Sequence, residues 1–113
     1  MEQLNSVIIR GIIGSVRIQK IGDTEMARFS VATNYAFRNR SGEAVIETTW
    51  HNVVAFKGDR MPDFSALVKG AGVEVKGRLR NYHYTDSNGV ERTTTAEILA
   101  NQITNFSDEK INY

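Results

Sequence analysis

Alternation of apolar and polar residues, interrupted at intervals by glycine, is what most restricts this chain. Nine glycines (Gly11, Gly14, Gly22, Gly42, Gly58, Gly70, Gly72, Gly77 and Gly89) mark off segments rich in Val, Ile, Thr, Phe and Tyr. Such residues suit a pleated, half-buried surface, so the segments read as strands. We place them at about residues 5–20, 27–37, 44–56, 72–84 and 92–106. The first is expected to bend at Gly11 or Gly14. Asn39-Arg40-Ser41-Gly42 and Asp86-Ser87-Asn88-Gly89 are turn signals between strands, the latter because Asn-Gly tolerates positive φ. One short helix is expected at about residues 62–69, because Pro62 suits a first helical turn and Gly70 a C-terminal stop.

Five strands with one helix between the third and fourth is the order of an all-β OB-fold, a five-stranded Greek-key barrel that often binds oligonucleotides or oligosaccharides. At 113 residues the chain has room for one core. We assign residues 1–106 to that domain and 107–113 to a short tail. There are no cysteines, which removes disulfides and thiolate chemistry and fits a reducing cytosol. No stretch approaches the roughly 18–20 apolar residues of a membrane helix, and the N-terminus lacks the pattern of a signal peptide. Charge is unevenly spread. Residues 1–84 hold twelve Lys/Arg against eight Asp/Glu, and residues 85–113 hold two against five. A basic body is a mild pointer toward a polyanion.

Period-two alternation sorts the candidate residues by face. In the fourth strand, Val73, Val75, Gly77 and Leu79 form a core face. Glu74, Lys76, Arg78, Arg80, Tyr82 and Tyr84 form the other, a row of cations ending in two rings. Unpaired nucleic acid asks for this pairing, cations for phosphates and flat rings for bases. A solvated face whose tyrosines cover a barrel end would read the same way. In the third strand Trp50, Asn52, Val54 and Phe56 share a face, with Lys57 beside it. Tryptophan alone is most often core, whereas the neighbouring cations favour a binding face. At the end of the second strand Tyr35 and Phe37 interleave with Arg38 and Arg40. That pattern fits either a ligand-wrapping hairpin or an ordinary polar one.

Catalysis finds no support. His51 and His83 lack the spacing of a metal site, Gly11-Ile12-Ile13-Gly14 is not followed by Gly-Lys-Ser/Thr, and no Gly-x-Ser-x-Gly elbow occurs. No cofactor or metal is expected. His51 reads as structural or interfacial. Asp86, Glu91, Asp108 and Glu109 read as solvated turn and tail residues.

Several runs together resemble bacterial single-stranded DNA-binding proteins of the replication and repair type. They are Asn5–Gly11 (NSVIIRG), Ala27–Asn34 (ARFSVATN), Thr49–Lys57 (TWHNVVAFK), Lys69-Gly70, Val73–Arg80 (VEVKGRLR), and Tyr84-Thr85-Asp86 with Gly89. The resemblance covers about residues 5–106. It implies an OB-fold that binds single-stranded DNA with little sequence preference and is not an enzyme. The family's four main stacking positions match Phe37, Trp50, Phe56 and Tyr84, with Tyr82 and Tyr35 as further rings. Phosphate contacts are expected at Lys57, Lys76, Arg78, Arg80, Arg38, Arg40 and Arg10. A homotetramer, or a dimer, with His51 near its contacts is implied, as is a cytoplasmic, nucleoid-associated location.

There are departures from the family pattern. Ser6 stands where a lysine is common, and Gly11–Ser15 replaces a Gly-Asn-Leu-Gly-x-Asp-Pro segment. The chain is expected to carry neither the family's flexible linker nor its acidic tip, so recruitment of replication or repair enzymes through that tip is not implied. Rival functions on the same fold are a restart or recombination adaptor with mainly protein partners, an RNA-binding module, and an oligosaccharide binder.

Overall fold

In the computed structural model, which describes residues 1–106 (for Thr94 and Thr95 the backbone alone), five strands close into a barrel. They are β1 (Val7–Ile21), β2 (Thr24–Arg38), β3 (Ala44–Phe56), β4 (Gly72–Thr85) and β5 (Glu91–Phe106). The order around the barrel is β1-β2-β3-β5-β4, and β4 closes it by pairing with β1. Every neighbouring pair is antiparallel except β3 with β5, a parallel seam of two residue pairs, Val53↔Ile98 and Val54↔Leu99. The expected OB-fold architecture is therefore present, with strand limits within about three residues of those read from the sequence. The tail at 107–113 lies outside the described residues.

β1 serves two neighbours. Val7–Ile12 pair with β4 and Ile12–Ile21 with β2, so the strand must turn across the barrel near its middle. Gly11 sits at the approach, where a Cβ would meet the carbonyl of Ala32. A bulge follows, with three steps on β1 (Ile13 to Val16) against two on β2 (Val31 to Phe29). The extra residue keeps Ile13 and Val16 both facing inward despite their odd spacing. The Ser15 N–H, lost from the ladder, donates to Ser30 Oγ at 3.0 Å. The core comprises the inward sets of the strands: Ile13, then Ala27, Phe29 and Val31, then Val53 and Ala55, then Val73 and Val75, then Ile98, Ala100 and Ile103.

Two expectations are corrected. The helix at 62–69 is only a single 3₁₀ turn, Phe64–Ala66, capped by Asp63 Oδ1, which accepts from the Ser65 N–H at 3.0 Å. Phe64 and Leu67 are the residues it buries. Beyond them the chain is drawn back to β1, where the Gly70 N–H donates to the Ile13 carbonyl at 2.8 Å, which leaves no length for an α-helix. Leu79, expected in the core, is 43% exposed. β1 begins at Val7 opposite Gly77, so no β1 side chain reaches across Leu79. The Asn5 side chain instead completes the ladder there, donating to the Leu79 carbonyl (2.7 Å) and accepting from its N–H (2.9 Å).

Gly77 tests the closure. A Cβ at this position would collide with the Leu99 carbonyl of β5, a backbone atom that cannot turn aside. Gly77→Ala is expected to lower unfolding stability by about 2–3 kcal/mol, read from urea midpoints. Gly58→Ala, where the nearest atom is 3.9 Å away, is expected to be near neutral.

Candidate functional site

The outward set of β2 and β3 combines polar and aromatic residues with buried Met26 and Val54, where the inward set of Ala27, Phe29, Val31, Val53 and Ala55 is wholly apolar. The two strands pair without irregularity from Met26↔Phe56 to Arg38↔Ala44. Trp50, Asn52 and Phe56 therefore share their face with Arg28, Ser30 and Ala32. Trp50 is 59% exposed, so it is not core. It lies opposite Ala32, and its ring reaches Gly14 at the β1 bulge, where a Cβ would fall 2.7 Å from Cη2. Small residues on two successive strands let the indole lie across the sheet. Phe56, 40% exposed, lies on the same face.

A groove of about 500 Å³ runs beside this ring. Ser15 and Arg17 of β1, Arg28 and Ser30 of β2, Asn52 of β3 and Tyr82 of β4 line it, with the Glu97 carboxylate among them. Ser15 and Ser30 also line a shallower hollow between Trp50 and Lys69, so the two recesses adjoin at these serines. Arg17 pairs in register with Arg28, which places two guanidinium side chains on adjacent strands.

The basic row expected on β4 divides in two. At its lower end Glu74 takes ion pairs from Arg10 of β1 and, at 4.0 Å, from Lys76. Arg10 also lies over the Phe106 ring, 4.9 Å from its centroid. These cations are thus partly neutralised. At the upper end Arg80 donates to Glu97 Oε1 at 2.9 Å, and Arg28 donates to Glu97 Oε2 at 3.1 Å. The Arg28 guanidinium sits 4.7 Å above the centre of the Tyr82 ring, and Tyr82 stacks beside Tyr84 at 5.9 Å. One face of Tyr82 is covered by Arg28, whereas Tyr84 is 43% exposed. Arg78, between the two ends, is exposed and makes no ion pair among the described residues. Lys57 pairs with Glu25 at 3.5 Å.

Tyr35 and Phe37 stack on one another at 6.0 Å and are exposed, as the hairpin pattern suggested. The unbroken register puts them opposite Glu47 and Val45, on the other face of the β2–β3 ribbon from Trp50. They form a separate aromatic pair. Arg38 donates to the Gly42 carbonyl at 2.7 Å and so braces the hairpin turn, while Arg40 projects from it. His51 shares the Phe37 face, half-buried, with Nε2 2.8 Å from Thr33 Oγ1.

Arg28, Arg17, Ser30, Lys69 and Glu97 were not expected from the sequence as site residues, and Asn52 was placed only on the face of Trp50 and Phe56. For Arg28 and Ser30 a signal existed, since they alternate with Ala27, Phe29 and Val31. Glu97 gave none, because its partners come from β2 and β4. No group of three or more His, Cys, Asp or Glu side chains among the described residues is placed to hold a metal ion.

The model of the single-strand binding protein family matches residues 4–106. The chain belongs to that family. A single-stranded DNA-binding protein of Neisseria meningitidis is 34% identical over 103 residues, which are 88% of this chain and 58% of that protein. The chain thus spans less than two thirds of this bacterial relative. The mitochondrial single-stranded DNA-binding protein of Danio rerio is 34% identical over 116 residues, 95% of this chain and 79% of the relative. Among solved structures, a Plasmodium falciparum SSB in complex with ssDNA superposes with a TM-score of 0.79 at 27% identity, covering 95% of this chain and 98% of that one.

Burial holds the His51 imidazole below its ordinary value of 6.5. The native state therefore favours the neutral ring, and the unfolded chain takes up this proton first as pH falls. Well above pH 6.5 the residue contributes no pH dependence, and as pH falls through that value stability is lost until the folded value is passed. We expect urea midpoints to fall between pH 7.5 and 5.5, and His51→Gln, which keeps a partner for Thr33, to flatten that decline.

Proposed function

We propose that this member of the single-strand binding protein family binds single-stranded DNA with little sequence preference. Bases stack on Trp50, Phe56 and Tyr84, phosphates are taken up along the groove, and unpaired strands are thereby protected in replication, recombination or repair. The observation that carries the reading is Trp50, more than half exposed, laid across Ala32 and Gly14 beside a groove lined by arginines and hydroxyls. A bulky apolar ring held rigidly in solvent contact costs free energy unless a flat partner covers it. Every base has such a face, and each stacked base contributes about 1–3 kcal/mol. Ser15, Ser30, Asn52, Arg17 and Lys69 supply donors to phosphate or sugar around the ring. The complex with ssDNA formed by the Plasmodium falciparum relative agrees with this use of the fold.

Tyr35 and Phe37 extend the path in this reading. Their position on the reverse of the hairpin asks the strand to cross the hairpin edge. The chemistry is binding rather than bond-making, with no cofactor. The assembly is a homo-oligomer, a homotetramer by the family resemblance, with His51 near contacts between copies. In a bacterial cell the reading places the protein in the cytoplasm, at the nucleoid.

Fluorescence anisotropy of a labelled 35-nucleotide oligo-dT, beside a duplex of equal length, tests this. Single strands are expected to bind and the duplex to bind far more weakly. Raising salt from 50 to 500 mM is expected to weaken binding about 100-fold if three phosphates are neutralised. Phe56→Ala/Tyr84→Ala is expected to lose at least about tenfold, and Tyr82→Ala less than either single change, since Arg28 already occupies one of its faces. Equal affinity for duplex, or indifference to salt, would contradict the proposal.

A further inference from the structure

Glu97 is the buried charged side chain among the described residues, 3% exposed, and it opens onto the groove. A carboxylate removed from water is costly unless both oxygens are satisfied by cations or donors. Each oxygen here takes one arginine, Oε2 from Arg28 and Oε1 from Arg80. The arginines are not buried with it: their side chains remain 34% and 35% exposed. The cluster therefore carries a net charge of one, with Arg28 and Glu97 lining the groove and Arg80 outside its lining.

Stability alone is a weak reason for this arrangement, since well-packed apolar residues often do as well as a buried ion cluster. We infer that Glu97 sets the charge of the groove, cancelling one of its two arginine partners, of which Arg28 lines the groove, and so limiting how many phosphates this end of the face takes up. The inference rests on the single-strand reading above. A phosphate drawn to Arg28 meets the carboxylate behind it. The guanidinium also has one nitrogen committed to Glu97 and one face committed to Tyr82. Arg17, paired across the strands with Arg28 and without an ion pair among the described residues, is the uncompensated neighbour. The competing role is that of a tie. The cluster joins β2, β4 and β5 beside the β3–β5 seam of only two residue pairs, since Glu97 precedes Ile98 and Arg28 pairs with Val54. A tie and a charge regulator predict opposite effects when Glu97 is neutralised.

The experiment measures oligo-dT affinity over a salt series for the wild type, Glu97→Gln and Arg28→Gln, with thermal melts to verify folding. Glu97→Gln is expected to bind roughly three- to tenfold tighter at 100 mM salt. Its slope of log K against log salt is expected to steepen by about 0.7, the value of one further phosphate on a single strand. Arg28→Gln is expected to shift the slope by a similar amount the other way. If Glu97→Gln does not fold, Glu97→Gln/Arg80→Gln restores the wild-type net charge and is expected to keep the wild-type slope. Weaker binding with a shallower or unchanged slope in Glu97→Gln, or a slope in Glu97→Gln/Arg80→Gln that departs from the wild type, would overturn the inference and leave Glu97 as a tie. A wild type that binds with salt dependence while the variant slopes fail to diverge would sink this inference alone. A wild type that does not bind would sink the single-strand reading with it.

Discussion

The double pairing of β1 is the constraint on which the rest of the molecule depends. One strand closes the barrel by serving β4 with its first half and β2 with its second. It can do so only by crossing over within a few residues, at Gly11 and the bulge at Gly14-Ser15. The same crossing prepares the outer face. Gly14 leaves the space in which the Trp50 ring lies, and the hydroxyl of Ser30 satisfies the backbone N–H released by the bulge. Closure and site are thus two consequences of one local geometry. A side chain at Gly14 would disturb the ring before it disturbed the core.

Closure also decides which charges meet. Glu97 on β5 meets Arg80 by direct register with β4, and meets Arg28 of β2 because the short β3–β5 seam brings the sheet around. Electrostatics on the outside of the barrel is therefore not a sum of free cations. Arg10, Arg28, Lys57, Lys76 and Arg80 each have a carboxylate within 4.0 Å, while Arg78, Arg17 and Lys69 have none among the described residues. The net charge of only +1 fits such a surface, and in the proposed function stacking carries much of the binding while a few open cations steer the strand.

Much of the architecture was legible because strands advertise themselves through local alternation and turn chemistry. Val73 and Val75 facing inward, Trp50 sharing a face with Phe56, and the Asn88-Gly89 turn all follow from neighbours in sequence. Gly89 indeed takes a φ of +77°, and Asp86 anchors that turn by accepting from the N–H groups of Asn88 and Val90. What was lost depends on distant partners. Leu79 alternates correctly yet is exposed, because β1 ends short of it. The residues at 62–69 have helical end signals, but the Gly70–Ile13 hydrogen bond leaves room for one 3₁₀ turn. Arg80 looked like an open phosphate contact until Glu97 reached it from another strand. Phe37, matched by local resemblance to a stacking position, proves to lie on the reverse of the ribbon from Trp50, which only the β2–β3 register could establish.

The central claim is that the Trp50 ring is covered by a base of a single strand. Trp50 is the sole tryptophan, so its emission reports on that ring alone. Titrating the protein at low salt with oligo-dT, and separately with duplex of equal length, measures the claim directly. The account predicts strong, saturable quenching by the single strand and little by the duplex. Unchanged emission on a single strand that binds by other measures would place the DNA elsewhere on the barrel and contradict the account.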